Sequence, residues 1–493
     1  MDDPVIRIAG GAVRGRLEGG IAVFRGMPFA QPPVGALRFA APHPVPPWDG
    51  VRDAGAFGPP PPQSRLIPMA LPELAPGADR NDWLTVNVWS PALGADGALP
   101  VMVWIYGGVY RAGTAAQPSY DGSRLAERGV IVVTFNHRVG VEGFVQVPGM
   151  PQNRALLDDV AALRWVRENV AAFGGDPDNV TVFGESAGAG AIAALLVMPS
   201  ASGLFRRAIA QSFPGTFFTP ALAADIAEAI AAAAGIPATA EAFAATDPDQ
   251  LAAAADTVVT GDHPRWAQAS LTRVPFSPVV DGEVLPTTPW QAIAAGTSRN
   301  VDLLTGHNRD EYRLFLELAG LRGKVTQEMV ERLIDGLVPG DGLKAYRTAY
   351  PEADAGALYE LVFSDWLFRM PTLHLAQAHA AGGGRTFLYE LVFEAGSLGA
   401  CHALDVPLVF GTVAEIGRFL LGREPSAAAV ALGDLMRSEW TAFAATGDPG
   451  WQPYAPGRRM TRIYDAESTV APYPEVASMH IWDQQRLGRI DLR

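Results

Sequence analysis

Residues 180–190 read Val-Thr-Val-Phe-Gly-Glu-Ser-Ala-Gly-Ala-Gly, and they decide the fold class. A short β-branched run precedes Gly184, and an Ala- and Leu-rich helical stretch follows Ser186. This order predicts a strand, a sharp turn and a helix, with Ser186 at the apex of a nucleophile elbow. Because Gly184 and Gly188 lack Cβ atoms, the strand and the helix can pass closely. The elbow therefore predicts an exposed serine hydroxyl, with the Ala187 N–H facing any oxyanion formed there.

Composition and charge narrow the class of protein. The chain has 493 residues, of which 48% are hydrophobic and 18% charged, so it can bury a large core. The formal net charge of −14 disfavours nucleic acid and anionic membrane surfaces as partners. Cys401 is the only cysteine, so no intrachain disulfide can form. No signal peptide or membrane-spanning stretch is recognised, and we expect a cytoplasmic enzyme.

Alternation of strands and helices predicts a doubly wound α/β fold. Apolar runs at Leu84–Trp89, Val101–Tyr106 and Val130–Asn136 predict central parallel strands, with Val180–Phe183 as a fourth. Between the last two runs, apolar residues recur at three- and four-residue spacing through Asn153–Val170, which predicts a helix. The alternation is typical of a right-handed, mostly parallel sheet with helices on both faces.

Two segments differ in composition from this alternating pattern. Residues 58–80 are rich in proline, which suits a surface rim and not a sheet interior. Residues 220–256 are strongly Ala-rich and predict the helices of an inserted cap. We expect one domain over residues 1–493, with rim and cap insertions near 58–80 and 216–300. Later helices are expected in three stretches: near 325–337, 354–378 and 427–446.

An exposed serine needs a base, and chain position favours His402. His402 lies in the Gly-flanked loop 399–407, after a predicted strand at Thr386–Phe393. A late loop at the carboxyl edge of the sheet is where this type of fold places its histidine. His307 lies too near the loop that carries the candidate acid, and His137, which follows a core strand, is interpreted as structural.

Two adjacent carboxylates are candidates for the acid that orients the base. Asp310 and Glu311 follow the predicted strand Val301–Gly306, and local sequence does not decide between them. The order of Ser186, a carboxylate and then His402 is the one expected of α/β-hydrolases. In such a triad the serine attacks a carbonyl, the histidine transfers the proton to the leaving alcohol, and the carboxylate stabilises the imidazolium.

Five motifs in a fixed order resemble those of type-B carboxylesterases, the family of cholinesterases and bacterial para-nitrobenzyl esterases. They lie at Phe24–Gly35, Asp82–Val88, Phe173–Gly188, Arg309–Glu311 and Gly399–Gly411. The resemblance covers nearly the whole chain and implies an α/β-hydrolase fold with helical cap insertions. It also implies a serine esterase with Ser186, Glu311 and His402 as its triad. No His-Glu-x-x-His pattern or Cys/His cluster is present, so we expect neither a metal nor another cofactor.

Three positions depart from the family's pattern. Trp83 stands where the family usually has a disulfide cysteine, and Tyr312 stands where it usually has glycine. Val109 stands where the family typically has glycine or alanine. The resemblance implies that Gly108 and Val109 supply oxyanion N–H groups beside Ala187, and valine keeps its N–H. Two orientations of its isopropyl group stay open, one into the core and one toward the reacting carbon.

Aromatic residues near the motifs are candidates for an apolar pocket or for the core: Tyr106, Tyr110, Phe213, Phe217, Phe218 and Phe315. An apolar lining favours medium-sized, uncharged or aromatic carboxylic esters, so the expected partner is a small-molecule ester. A carbamate or amide hydrolase using the same triad is the first alternative. A non-catalytic cholinesterase-like binding domain is the second, and the intact triad disfavours it. The sequence predicts no particular oligomeric state.

Overall fold

A computed structural model describes residues 3–67, 70–72, 74, 79–94, 98–261, 263–338, 340–394, 396–414, 420–421, 424–483 and 487–493. Seven residues of the predicted rim, 68, 69, 73 and 75–78, lie outside the described residues. The strands are, in chain order, β1 (Val5–Ile8), β2 (Gly11–Arg14), β3 (Arg16–Glu18), β4 (Ile21–Pro28), β5 (Val51–Asp53), β6 (Thr85–Ser90), β7 (Leu99–Ile105), β8 (Ile131–Phe135), β9 (Gly175–Glu185), β10 (Arg207–Gln211), β11 (Asp302–Asn308), β12 (Thr386–Leu391), β13 (Met460–Tyr464) and β14 (Thr469–Pro472).

An eleven-stranded sheet forms the centre of the molecule, in the order β14-β13-β12-β11-β10-β9-β7-β8-β6-β4-β3. The seven neighbouring strands from β13 to β8 are parallel. Antiparallel strands complete both edges, β14 at one and β6, β4 and β3 at the other. A separate three-stranded sheet contains β1, β2 and β5. The predicted mostly parallel, doubly wound α/β fold is confirmed.

One of the four central strands predicted to be parallel is antiparallel. The run Leu84–Trp89 does form a strand, β6, but this strand pairs antiparallel with both β4 and β8. All six residues of β6 are buried, so the strand is covered on both faces. A continuous apolar run is typical of a buried parallel strand, but an antiparallel strand covered on both faces has the same pattern. The other three predictions are confirmed by β7, β8 and β9.

Burial on both faces of the sheet is visible within β7. Val101, Val103 and Ile105 belong to one buried apolar cluster, whereas Met102 and Trp104 belong to another. Successive side chains of a strand point to opposite faces, so the two clusters lie on opposite sides of the sheet. Both faces must therefore be covered by helices.

The helices that lie wholly within the described residues are, in chain order, α1 (Ser123–Ala126), α2 (Gly140–Phe144), α3 (Arg154–Asn169), α4 (Ala187–Leu195), α5 (Pro220–Ala234), α6 (Ala240–Ala245), α7 (Pro248–Thr260), α8 (Ala267–Thr272), α9 (Pro289–Ala294), α10 (Arg313–Leu318), α11 (Gln327–Leu337), α12 (Gly342–Ala349), α13 (Ala355–Ser364), α14 (Met370–Ala381), α15 (Asp405–Phe410), α16 (Ala427–Thr446) and α17 (Val476–Trp482). The predicted helices at 153–170, 220–256, 325–337, 354–378 and 427–446 are confirmed. A short π-helical turn at Asp365–Arg369 separates α13 from α14.

Local sequence explains where the first Ala-rich helix begins and ends. The Thr219 side chain accepts a hydrogen bond from the Leu222 N–H, and Pro220 occupies the first turn of α5, where its missing N–H costs nothing. Gly235 ends the helix in the left-handed conformation, at a φ of 72°. The interior of α5 is mostly alanine and isoleucine, and its buried face packs into the same apolar cluster as α7.

The chain returns repeatedly to the carboxyl edge of the parallel strands. Strands β9, β11 and β12, with β10 lying between β9 and β11, are followed at that edge by the segments that carry Ser186, Glu311 and His402. Ligands of open α/β sheets bind outside the carboxyl ends of the strands. Within the part of the chain that the structure describes, no helix combines the length and apolar character needed to span a membrane.

Candidate active site

The predicted elbow is present around Ser186. Strand β9 runs directly into this residue and α4 follows it, while Ser186 itself has φ 57° and ψ −123°. A Cβ atom at Gly188 would lie 2.0 Å from the Ile105 carbonyl oxygen, and one at Gly184 would lie 2.5 Å from the same oxygen. Both glycines are therefore required by close backbone contact with β7. A serine held at positive φ is strained, and such strain is concentrated at functional turns.

Glu311 and His402, which are 91 residues apart, meet in a buried contact. The Glu311 Oε2 atom lies 2.5 Å from His402 Nδ1. The Glu311 Oε1 atom accepts a hydrogen bond from the Asn308 N–H at 2.8 Å, so the last residue of β11 orients the carboxylate. The Asn308 Nδ2 atom also donates to the Cys401 carbonyl at 2.7 Å. One residue at a strand end thus positions both the carboxylate and the histidine loop.

The second imidazole nitrogen of His402 faces a carboxylate that the sequence analysis missed. Its Nε2 atom lies 2.9 Å from Glu185 Oε1, and the described residues include no hydrogen bond between Nε2 and Ser186 Oγ. Burial lowers the pKa of the imidazole, but the Glu185 and Glu311 carboxylates outweigh burial and raise it to about 10. In this arrangement the two carboxylates favour the protonated imidazole. The signal for Glu185 was its place directly before the nucleophile.

A third buried carboxylate, Asp405, extends this network. It accepts hydrogen bonds from Gln211 Nε2 at 2.8 Å and from the Tyr389 hydroxyl at 2.9 Å. Burial, with the nearby Glu185 charge, raises the pKa of Asp405 to about 6. The backbone oxygen of Gln211 in turn accepts the Ser186 N–H at 2.9 Å. Asp405 is thereby connected to the elbow, and its position three residues after His402 was a signal that sequence reasoning did not use.

The predicted oxyanion residues lie on two segments that meet at Ser186. A Cβ atom at Gly107 would lie 3.1 Å from the Ser186 Cβ, so the loop after β7 passes beside the nucleophile. Gly108 and Val109 follow with φ values of 122° and 52°, and Ala187 begins α4. Val109 is half-buried and belongs to none of the apolar clusters formed by the described residues. This placement disfavours a Val109 side chain that turns into the core.

Aromatic rings pack directly against the imidazole. The ring centroid of Phe315 lies 5.1 Å from that of His402, and the ring centroid of Phe368 lies 4.4 Å from it. Phe315 is one of the six predicted pocket residues, whereas Phe368, on the π-helical turn, was missed. The other five predicted residues are buried core aromatics: Tyr106, Tyr110, Phe213, Phe217 and Phe218.

The competing candidates for acid and base have other partners. The Asp310 carboxylate accepts the Ala400 N–H at 2.9 Å, so it secures the histidine loop instead of contacting the imidazole. His307 contacts the Tyr473 hydroxyl at 3.0 Å, and burial lowers the pKa of its imidazole to about 3. The His137 ring stacks on a core tyrosine. The structure therefore pairs His402 with Glu311 and with neither competitor.

Two of the positions that depart from the family's pattern are also explained. Trp83 is buried in the core of the sheet. The Tyr312 ring stacks on Phe363 with centroids 4.0 Å apart, and its centroid lies 5.2 Å from that of Phe315. Tyr312 thus extends the aromatic surface that begins beside the imidazole. No group of three or more potential metal ligands is found among the described residues.

Comparison with known proteins finds esterases and related hydrolases that match this protein over most of its length. The model of the carboxylesterase family matches residues 2–469. The para-nitrobenzyl esterase of Bacillus subtilis (strain 168) is 36% identical over 493 residues, covering 96% of this chain and 97% of its own. The phenmedipham hydrolase of Pseudarthrobacter oxydans is 33% identical over 461 residues, covering 90% of each chain. The crystal structure of a Geobacillus stearothermophilus carboxylesterase has a TM-score of 0.85 at 34% identity, covering 97% of this chain and 99% of its own.

The sheet topology and its structural relatives define an α/β-hydrolase fold. The chain belongs to the carboxylesterase family, and the protein is a carboxylic ester hydrolase. Its substrate is accordingly a small-molecule ester.

Proposed function

We propose that the protein is a serine carboxylesterase in which Ser186 is the nucleophile, His402 the general base and Glu311 the triad acid. The observation that carries this proposal is the buried 2.5 Å contact between Glu311 Oε2 and His402 Nδ1 at the sheet edge that also holds Ser186. A carboxylate at Nδ1 selects the tautomer that leaves Nε2 free to accept a proton. The strained elbow places the Ser186 hydroxyl at the same edge.

Acylation requires His402 Nε2 to turn from Glu185 toward Ser186. When Nε2 leaves that carboxylate, the pKa of the imidazole falls and the ring releases its Nε2 proton to solvent. The neutral ring then accepts the Ser186 Oγ proton as Oγ bonds to the ester carbonyl carbon. The imidazolium returns the proton to the leaving alcohol oxygen as the carbon–oxygen bond breaks. A water molecule then attacks the acyl-enzyme by the same proton transfers in reverse and releases the acid.

The oxyanion of each tetrahedral intermediate is bound by backbone N–H groups of Gly108, Val109 and Ala187. Their proposed role is supported by the passage of the Gly107–Val109 segment beside Ser186 and by the start of α4 at Ala187. Donors held in place before the reaction stabilise the developing charge without reorganisation, which is a major source of catalysis in such sites.

The preferred substrates are uncharged, medium-sized or aromatic carboxylic esters. Phe315 and Phe368 pack against the imidazole and supply an apolar wall, which Tyr312 extends. Glu185 and Glu311 place negative charge around the same ring, so an anionic group on the substrate would be repelled. The similarity to a para-nitrobenzyl esterase agrees with an aromatic ester group.

Labelling with a fluorophosphonate tests the nucleophile. The probe should modify wild-type protein once, at Ser186, and should not modify the Ser186→Ala variant. Modification at another serine, or equal labelling of both proteins, would contradict the triad assignment. A series of p-nitrophenyl esters of increasing acyl length, with a succinate half-ester as the anionic member, then tests the substrate class. Efficient turnover of the half-ester would contradict the proposed charge selection.

Carbamate hydrolysis is a second candidate function, favoured by the similarity to a phenmedipham hydrolase, because phenmedipham is a carbamate. The same triad can attack a carbamate carbonyl, so the choice depends on the leaving group. A matched set of p-nitrophenyl ester, p-nitrophenyl carbamate and p-nitroanilide separates the bond classes. We expect kcat/KM to be highest for the ester, and a higher value for the carbamate would reverse the order of the two candidates.

We also propose that residues 1–493 form one hydrolase domain, with rim and cap insertions near 58–80 and 216–300, located in the cytoplasm. The single domain is supported by the buried apolar cluster that the cap helices α5 and α7 share with α11 and α13. The cytoplasmic location is supported by the single cysteine, Cys401, which suits a reducing compartment. A single cooperative unfolding transition and recovery in the cytosolic fraction are expected. Two separated transitions would contradict the single domain, and recovery in another fraction would contradict the location.

A further inference from the structure

The loop that carries the proposed oxyanion donors is strained at two successive residues. Val109 has a φ of 52° and Tyr110 a φ of 58°, a region that residues with a Cβ atom rarely occupy. Valine is especially disfavoured there because its side chain branches at Cβ. Backbone of this kind persists only where the surroundings determine its conformation. The contacts that hold the loop therefore decide where its N–H groups point.

Part of this support comes from the rim segment. The Gln63 side chain donates from Nε2 to the Gly113 carbonyl at 3.2 Å and accepts the Gly113 N–H at Oε1, at 3.0 Å. The Ser64 N–H donates to the Arg111 carbonyl at 3.1 Å. These three hydrogen bonds attach the rim to the end of the loop.

The cap helix α7 supplies further support through a nearly buried ion pair. Arg111, two residues after Val109, donates from Nη2 to Asp256 Oδ1 at 2.7 Å and to Ser64 Oγ at 2.9 Å. The exposed fraction of the side chain is 7% for Arg111 and 14% for Asp256. Asp256 also accepts the Ser64 hydroxyl at 2.5 Å and the Arg65 N–H at 3.1 Å. One carboxylate therefore holds the rim and the oxyanion loop at once.

We propose that Asp256 is a positioning residue for the hydrolysis reaction, acting through Arg111 on the backbone N–H groups of Gly108 and Val109. This inference rests on the proposed oxyanion role of those two residues. A charged pair that is largely removed from water attracts more strongly than an exposed one and holds a defined geometry. The oxyanion donors are thus placed by a helix of the cap, about 145 residues away in the chain.

A neighbouring ion pair provides a matched control. Arg65 and Asp249 join the same rim segment to the same helix at 2.9 Å, but their side chains are 82% and 66% exposed. Among the described residues, neither side chain forms a hydrogen bond or ion pair with the oxyanion loop. The test compares Asp256→Asn with Asp249→Asn. We expect Asp256→Asn to lower kcat for p-nitrophenyl butyrate about 10- to 100-fold with KM changed less than about 3-fold, because misplaced donors fail chiefly in the transition state. Asp249→Asn should keep the wild-type kcat.

Two further measurements separate positioning from general damage to the fold. The kcat is expressed per active site titrated with fluorophosphonate, so unfolded protein does not contribute. The affinity for a trifluoromethyl ketone analogue, whose adduct carries an oxyanion, should fall in parallel with kcat/KM. Ser64→Ala removes the hydrogen bonds of the Ser64 hydroxyl to Asp256 and from Arg111 but keeps their ion pair, and it should fold and lower kcat less, about 2- to 5-fold.

A wild-type kcat per titrated site in both Asp256→Asn and Ser64→Ala would overturn the positioning role. So would an equal loss of kcat in Asp249→Asn, because the effect would then belong to anchoring of the rim in general. Should Asp256→Asn fail to fold, the Ser64→Ala result and its analogue affinity decide alone. The Ser186→Ala variant, which fluorophosphonate cannot titrate, is assayed for turnover per mole of protein with native circular dichroism and keeps the two proposals apart. If Ser186→Ala loses turnover while Asp256→Asn keeps the wild-type kcat, only the positioning role is contradicted.

Discussion

The two sides of the proposed reaction centre are held in place in different ways. On the acid–base side, His402 is flanked by Glu311 and Glu185, and both carboxylates lie within three residues of a strand end. On the oxyanion side, Val109 and Tyr110 occupy strained backbone angles, and contacts from distant segments hold the nearby residues Arg111 and Gly113. The first side depends on charges set at the sheet edge. The second depends on backbone shape imposed from outside the sheet.

This difference predicts two kinds of mutational response. Removing a charged group from the acid–base side changes protonation and should alter the pH dependence of the reaction. Changing the oxyanion side shifts donors by fractions of an ångström and should alter turnover and selectivity without moving the pH profile. Each substitution below tests whether one side or the other behaves as described.

The largest expected effect is at Ser186, the nucleophile on which both sides of the reaction centre act. Ser186→Ala should reduce kcat about a million-fold, because the nucleophile of such a triad is required for every other member to act. His402→Ala should be comparably damaging. Steady-state turnover of p-nitrophenyl butyrate by purified variants with native circular dichroism provides the measurement. A variant that retains a tenth of the wild-type kcat would contradict the catalytic role assigned to its substituted residue.

The next largest effect distinguishes Glu311 from Asp310, the two adjacent carboxylates that follow β11. Glu311→Gln should lower kcat by about three to four orders of magnitude, because the imidazolium loses its stabilising partner and the tautomer is no longer selected. Asp310→Asn should cost far less, since the amide oxygen can still accept the Ala400 N–H. The same kinetic assay ranks the two variants. The reverse ranking would assign the acid role to Asp310.

The pH dependence tests the charge on the acid–base side. Glu185→Gln removes a carboxylate that raises the pKa of His402, so the imidazole pKa should fall and neutral imidazole should form at lower pH. The acidic limb of the kcat/KM profile should therefore move to lower pH. Exposed Glu168→Gln serves as a control and should leave the limb in place. An unchanged limb in Glu185→Gln would show that this charge does not act on the base.

The smallest effect concerns selectivity on the oxyanion side. Val109→Gly should raise kcat/KM for esters of tertiary alcohols several-fold while changing it little for esters of primary alcohols. The half-buried isopropyl group lies outside the apolar clusters of the described residues, and it would take space beside the reacting carbon if it faces the substrate. Rates on matched primary and tertiary acetates provide the test. Equal changes for both esters would mean that Val109 does not face the substrate.

The same substitution has an expected consequence for stability. Glycine relieves the cost of a positive φ at Val109, about 1–2 kcal/mol, but increases the freedom of the unfolded chain at a cost of about 0.5–1 kcal/mol. We expect the free energy of unfolding to rise by about 1 kcal/mol or less. Urea denaturation measures it, and a clear decrease would show that the loop is less strained than its φ values indicate.

Sequence reasoning worked best where the chemistry is local. The elbow around Ser186 follows from adjacent residues, since two glycines and a serine between a strand and a helix allow few other conformations. The apolar runs located the strands, but they did not reveal that β6 is antiparallel, because burial on both faces produces the same pattern in either direction. The aromatic ring nearest the imidazole, that of Phe368, was missed because it lies on an irregular turn of an otherwise helical stretch.

By itself, the sequence determined the alternation of strands and helices, the elbow and the candidate residues Ser186 and His402, because these depend on short-range patterns and chain order. The choice of Glu311 over Asp310 came from the resemblance to type-B carboxylesterases. Only the tertiary structure decided which carboxylates contact the His402 imidazole and which residues hold the oxyanion loop. The Glu185 contact with His402 and the Asp256 contact with Arg111 depend on side chains brought together by the packed sheet and cap. Hydrogen bonds and ion pairs act over about 3 Å, so residues far apart in sequence reveal such contacts only once the chain is folded.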